Sequence, residues 1–275
     1  MRKNLTLKEC KICNSKKVKY SYSFEKKKYY RCENCSFVFQ NPLPTITELK
    51  SLYSQEYFDT NYFEKNSKMN LRDKQYNLDK KFLLKYFKDS NNKKILDYGC
   101  GNGRFLSKFK SKKYGYEFNE SAKVARAVKR ITLKKINNLK FDLIIMRGVI
   151  EHIIDFDKVV ERLSKKLKKG GYFYITATPN TNNLTFFLSN KDFNQNHFGH
   201  IYHFNNVNLS MFFLKKNLFN IETIYQYSET PYSNYLKDYK FSKIQLKNYE
   251  RKTKKKTKSP AGVGNMMTLL FKKIV

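Results

Sequence analysis

Apolar residues in this 275-residue chain gather in short blocks of two alternating kinds. Ile95-Leu96, Tyr114–Glu117, Asp142–Met146 and Tyr172–Ala177 are brief runs without helical period, the pattern of strands buried on both faces. Between them lie stretches of helical spacing: the residues after Gly103, Ala122–Lys129 and Phe156–Leu167. Ahead of the first strand, Arg72–Phe87 places Tyr76, Leu83, Leu84 and Phe87 at helical intervals and predicts one more helix. Strand and helix in strict alternation predict an α/β fold, a Rossmann-like doubly wound sheet of mostly parallel strands.

Lys93–Gly103 adds chemistry to this pattern. Its strand ends in Asp97 and breaks into a loop with glycine at alternate positions, Gly99, Gly101 and Gly103. Glycine lets such a loop turn sharply and bring backbone close to a ligand, while Phe105-Leu106 start a helix behind it. Glu117 closes the next strand, where an acid can accept hydrogen bonds from both hydroxyls of a ribose. The loop lacks the G-x-G-x-x-G spacing that cradles a pyrophosphate, and no Lys-Ser/Thr pair follows it. A nucleoside held without its phosphates is the expected ligand.

At these residues the chain resembles the class I S-adenosylmethionine-dependent methyltransferases, whose first motif matches Asp97–Gly103 and whose ribose-binding acid falls at Glu117. The likeness continues through Phe141–Met146 as a fourth strand, Ile150-Glu-His-Ile-Ile-Asp155 after it, and Leu167–Asn180 as turn and fifth strand. It implies S-adenosyl-L-methionine as methyl donor, bound by Asp97, Gly99, Gly101, Gly103 and Glu117. It also implies a seven-stranded sheet, closed by Asn220–Tyr227 and Asn265–Lys272 as an antiparallel pair, with an insert at 228–264. One departure is plain: Ile131–Lys140 carries no carboxylate for an adenine amino group, leaving a backbone carbonyl or Asn137 for that task.

Cys10-Lys-Ile-Cys13 and Cys32-Glu-Asn-Cys35 form a second signal, two knuckles spaced to wrap one tetrahedral zinc. Four thiolates leave no position for water, so such a zinc is structural. Disulfides are the alternative reading, disfavoured in a chain large enough to build its own core. The fifth thiol, Cys100, sits inside the glycine loop and reads as a small packing residue.

These signals divide the chain into a zinc-ribbon module at 1–45, a helical connector or lid at 46–92 and a catalytic domain at 93–275. Tyr53, Tyr57 and Phe58 of the connector are candidates to roof the active site. No run of 18 apolar residues and no hydrophobic leader is present, so no membrane insertion and a cytoplasmic location are expected. Lys and Arg number 56 against 23 Asp and Glu, a net charge of +33 that would suit a polyanion. The lysines are spread throughout, however, and the densest run, 251–258, lacks aromatic residues for base stacking.

Methyl transfer to a hydroxyl needs a base for the acceptor proton, and the chain offers four histidines. His152 follows the fourth strand, and His197, His200 and His203 cluster in Asn196–Phe204, with metal ligation the alternative role for that cluster. Within the resembling family an HxxHF stretch lies over the acceptor pocket, which makes His200 or His203 the first candidate for general base. The ribbon, with Tyr30–Pro44 and Leu52–Phe58, looks like that of zinc-ribbon methyltransferases of sugar and surface-polysaccharide biosynthesis. That likeness implies a small-molecule or nucleotide-sugar acceptor. The alternatives are a ribosomal RNA methyltransferase, disfavoured by Arg147-Gly-Val-Ile150 where an Asn-Pro-Pro-Tyr motif would stand, and a non-catalytic zinc-ribbon scaffold.

Overall fold

The computed structural model describes residues 5–53, 67–119, 124–183, 186, 199–225 and 266–274, with short helical pieces at 240, 243–244, 247–248 and 251–252. Two sheets organise the chain. The small one begins with β1 (Val18–Phe24) and β2 (Lys27–Cys32), a hairpin turning through Glu25 and Lys26, both at positive φ, and continues to β3 (Val38–Gln40). α1 (Ile46–Leu52) follows, its start fixed by a capping box in which Glu48 N donates to Thr45 Oγ1 and Thr45 N to Glu48 Oε2.

The large sheet has seven strands. α2 (Ser67–Leu83) leads to β4 (Lys94–Tyr98), then α3 (Arg104–Ser107), β5 (Lys112–Tyr116), β6 (Lys129–Arg130), α4 (Leu133–Asn137) and β7 (Phe141–Arg147). A short 3-10 turn (Ile150–His152), α5 (Phe156–Lys166) and β8 (Leu167–Pro179) come next, then β9 (Tyr202–His203), α6 (Asn206–Leu214), β10 (Leu218–Ile224) and β11 (Met266–Lys273). The strand order is β10-β11-β8-β7-β4-β5-β6, parallel except for β11, which runs against both β8 and β10. The doubly wound sheet and its antiparallel closing pair are therefore as expected.

Alternation along β7 decides what covers each face. Ile144 and Met146 join the cluster that holds Phe156, Val160 and Leu163 of α5, while Leu143 and Ile145 join Tyr76 and Leu83 of α2 and Phe105 of α3 on the opposite side. All four β7 side chains are wholly buried, each contributing roughly 1.5–3 kcal/mol of transfer free energy. One buried ion pair crosses the second layer: Arg147 Nε lies 3.1 Å from Asp79 Oδ2 on α2, and its guanidinium stacks on Tyr76 at 4.7 Å.

Over the described part of Ala122–Lys129, residues 124–129, there is no helix. Residues 124–128 make a turn and Lys129 already opens β6. The cause lies in the glycine loop: Ala125 N donates to Asn102 O at 2.9 Å, and Val124 and Val128 lie against the bare faces of Gly103 and Gly115. Two valines that suggested a helical stripe are thus drawn flat onto the loop.

The small sheet draws on more than the first 45 residues. Its fourth strand is β9, paired antiparallel with β3 through Val38↔His203 and Phe39↔Tyr202. Gln40 N donates to Ile201 O, Tyr29 Oη to His200 O and Asn208 Nδ2 to Cys35 O, so ribbon and catalytic core share one wall.

Candidate active site

The C-terminal ends of β4, β5 and β7 meet at a cavity of about 330 Å³. Gly99, the first residue of the glycine loop, lines it. Gly99 N and Cys100 N both donate to Tyr116 O, and Gly101 N donates to Glu117 Oε2 at 2.8 Å, so the loop is tied to the end of β5. Gly99, at φ +83, has no room for a side chain: a Cβ would stand 2.5 Å from Val149 Cγ2. Gly103 caps α3 in the left-handed region.

Gly99 and Glu117 line the cavity, and Asp97 lies beneath it, almost wholly buried. Burial pushes the Asp97 carboxyl up to about 7 and also raises Glu117, although Gly101 N opposes the latter shift. Asp97 Oδ1 has no hydrogen-bond partner among the described residues. A buried acceptor without a partner, beside a ribose-height carboxylate and a glycine floor, fits a cationic nucleoside such as S-adenosyl-L-methionine. Cys100 is buried with its thiol raised by burial, and its Sγ fills the hollow over Gly115, in keeping with a packing role.

Across from Glu117 stand Tyr53, Val149 and His152. His152 Nδ1 lies 2.9 Å from Gly199 O and 2.6 Å from Tyr53 Oη. The carbonyl can only accept, whereas the Tyr53 hydroxyl can do either; in the tautomer with the proton on Nδ1, the lone pair falls on Nε2. The His200 ring packs against it, tilted by 59° with centroids 4.7 Å apart, and does not line the cavity. His203 is fully buried in β9, bonded to Tyr22 Oη at 3.0 Å and stacked on Tyr29, and desolvation lowers it to about 3. Of the three histidines it is His152 that faces the cavity, the reverse of the order the motif suggested. His197, Tyr57 and Phe58 lie outside the described residues.

Two further groups carry more weight here than their sequence context suggested. Glu151 is 1 % exposed and pushed up to about 8 by burial, with Oε2 accepting from Thr178 Oγ1 at 3.2 Å. Only its place beside His152 could have singled it out. Leu133 of α4 reaches the cavity, whereas Asn137, the possible adenine partner, is exposed and gives its carbonyl to Lys166 Nζ.

The four ribbon thiols converge without disulfides. Cys10 and Cys35 are 3.5 Å apart, as are Cys13 and Cys32, and all four Sγ lie within 4.8 Å of one another. Sulfurs about 2.3 Å from a tetrahedral zinc stand about 3.8 Å from each other, so the tetrad fits that ion. Both knuckles close alike, with Asn14 N donating to Cys10 O and Ser36 N to Cys32 O, each donor at positive φ.

A family model described as a methyltransferase domain matches residues 71–223, more than half of the chain. The chain belongs to the methyltransferase-domain family. The enzyme class expected from its motifs therefore stands. Among solved structures it is similar to a chain of the complex between the Haloferax volcanii Trm112 methyltransferase activator and a methyltransferase, at 12 % identity and TM-score 0.51, over 78 % of this chain and 97 % of that one. It is also similar to a SAM-dependent methyltransferase from Archaeoglobus fulgidus, at 16 % identity and TM-score 0.43, over 76 % of this chain and all of that one. A third is an S-adenosylmethionine-dependent methyltransferase from Clostridium acetobutylicum, at 17 % identity and TM-score 0.44, over 79 % of this chain and 96 % of that one. Identities this low bear on the fold alone. No curated protein matches the chain. No helix among the described residues is long and apolar enough to cross a membrane.

Proposed function

We propose that this methyltransferase moves the methyl group of S-adenosyl-L-methionine to a small acceptor, a sugar or nucleotide-linked precursor of surface glycan synthesis. The observation that carries the reading is the cavity itself, with Gly99 and Glu117 on one side and His152 on the other. Glu117 takes the ribose hydroxyls, Gly99 keeps the floor free of a side chain while Gly101 and Gly103 shape the loop that carries it, and Asp97 supplies negative charge beneath the sulfonium. The acceptor enters under Tyr53. Its oxygen or nitrogen attacks the methyl carbon in line, the carbon–sulfur bond breaks with its electron pair passing to sulfur, and the acceptor proton goes to His152 Nε2. His200 backs His152, and His203 holds the wall rather than meeting substrate.

Zinc in the Cys10, Cys13, Cys32 and Cys35 tetrad keeps that wall in place, and residues 1–45, 46–92 and 93–275 act as ribbon, lid and catalytic domain. A small acceptor is favoured over RNA because Arg147, at the position where a base-reading motif would stand, is spent on Asp79 and Tyr76. The glycan assignment rests on the likeness of the ribbon segment alone.

Calorimetry of S-adenosylmethionine binding tests the reading, repeated with nucleotide sugars and with RNA. Wild type binds, and Glu117→Ala weakens binding at least about tenfold, the effect of losing hydrogen bonds to a charged group. Enhancement by a nucleotide sugar supports the acceptor class; enhancement by RNA with a steep salt dependence moves the assignment to RNA. A wild-type protein that binds no cofactor leaves only a scaffold.

A further inference from the structure

We propose that Tyr53 is a positioning residue for methyl transfer, its hydroxyl holding the imidazole of His152 in place at the acceptor end of the cavity. The inference rests on the reading above in which His152 takes the acceptor proton, and it names the group through which α1 serves that step. Ile46, Leu49 and Tyr53 all line the cavity and are spaced three and four residues apart, so one face of α1 forms its roof. Tyr53 is the C-cap of that helix, and Tyr53 N donates to Leu49 O at 3.1 Å. Its carbonyl accepts from Asn119 Nδ2 at 3.2 Å, and Asn119 N donates in turn to Glu117 Oε1 at 3.3 Å. The helix end is thereby fastened to the cofactor side, while its side chain reaches the opposite rim.

Two separate segments meet the side chain there. Tyr53 Oη lies 2.6 Å from His152 Nδ1, and the two rings stand edge to face, with centroids 5.6 Å apart at 83°. A phenol can donate or accept, so this contact suits either neutral tautomer of His152 and also the imidazolium that forms when the ring gains a proton. Gly199 O, 2.9 Å from the same nitrogen, can only accept and suits only the forms with a proton on Nδ1. The hydroxyl is thus the contact that keeps the ring aimed whatever its protonation. Gly199 is shaped to that oxygen: a Cβ there would stand 2.1 Å from Tyr53 Oη, 3.1 Å from Tyr53 Cζ and 3.2 Å from His152 Nδ1. The phenol is rigid, so its oxygen has no bend of its own with which to make way. An apolar ring would be enough for a roof; an oxygen seated against an imidazole nitrogen, in a hollow where the facing residue has no side chain, serves alignment.

Two substitutions in the full chain test this. Tyr53→Phe keeps the ring and removes the oxygen. The NMR order parameter of the His152 ring, assigned against His152→Gln, is expected to fall from the rigid range of about 0.85 to below about 0.6, while that of His203 stays as in wild type. In thermal unfolding, Tyr53→Phe lowers the melting temperature of the wild type but raises that of Gly199→Ala, because it removes the atom that the new methyl group meets. A reversal of sign of this kind requires two groups in contact. An unchanged His152 order parameter in Tyr53→Phe, or a Tyr53→Phe substitution that lowers the melting temperature in both backgrounds, overturns the proposal. The first measurement needs Tyr53→Phe alone and so stands even if Gly199→Ala fails to fold. Calorimetry of S-adenosylhomocysteine with the wild type is scored separately: no binding sinks the proposed function, whereas binding together with a His152 ring as rigid in Tyr53→Phe as in wild type sinks only the role of Tyr53.

Discussion

Asp97 and His203 are both shut away from water, and burial drives each toward its neutral form: the carboxyl rises to about 7 and the imidazole falls to about 3. For Asp97 this has a consequence in binding. A cationic ligand above it favours the carboxylate, so loading releases a proton. S-adenosylmethionine affinity accordingly rises with pH up to about 7, by at most tenfold per unit, and levels off above. In Asp97→Asn that slope disappears, as calorimetry at several pH values checks.

For His203 the consequence is stability. Its folded value lies below the ordinary 6.5, so its contribution is complete above 6.5 and is lost as pH falls through that value toward 3. The cost is on the order of 1.4 kcal/mol per unit crossed. Among the described residues its titratable neighbours include Tyr22, Tyr29, His152 and His200, none of them a carboxylate. His203→Phe should flatten the acid limb of a urea-denaturation series between pH 6.5 and 4. An unchanged limb would mean that another group governs it.

At the scale of elements, the pairing of β3 with β9 makes the ribbon a support for the acceptor side. Cys10→Ser should therefore do more than loosen the first 45 residues. Amide hydrogen exchange at Tyr202–Phe204 is expected to speed up with that at Val38–Gln40, while β4 and β5 keep their protection. Turnover falls further than cofactor affinity. Protection lost only within the ribbon would show that β9 is held by the catalytic core instead.

This coupling also marks where sequence stopped being informative. The runs of β4, β7 and β8, the glycine loop, Glu117 and the cysteine tetrad are legible because each needs a composition that few other structures use. β9 is two residues long and has no period to read. The helix that Ala122–Lys129 suggested fails because Val124 and Val128 answer to the hollows left by Gly103 and Gly115, contacts set by the sheet and not by neighbours in sequence. Likewise the HxxHF motif does not show which of its residues reach the cavity, since both residues of β9, Tyr202 and His203, are buried.

Across the whole molecule, cofactor binding should register as thermal stability. The cavity joins β4, β5, β7 and α1, so a ligand there binds the native state alone. S-adenosylhomocysteine at about 100 times its Kd adds about 2.7 kcal/mol, which raises the melting temperature by roughly 5–10 °C in a chain of this size. Glu117→Ala should lose most of that rise at equal concentration. A variant that keeps the full rise would place the ribose elsewhere.

The shared small sheet also sets an order of events during synthesis. The two cysteine knuckles are complete once Cys35 has left the ribosome, but the partner of β3 is Tyr202-His203, some 165 residues behind Val38. At ordinary elongation rates that gap lasts roughly ten to thirty seconds. For that interval the nascent ribbon presents the open edge of β3, with Phe37 and Phe39 still lacking Tyr202 and Phe204 to cover them. That edge is covered only when Tyr202-His203 arrives.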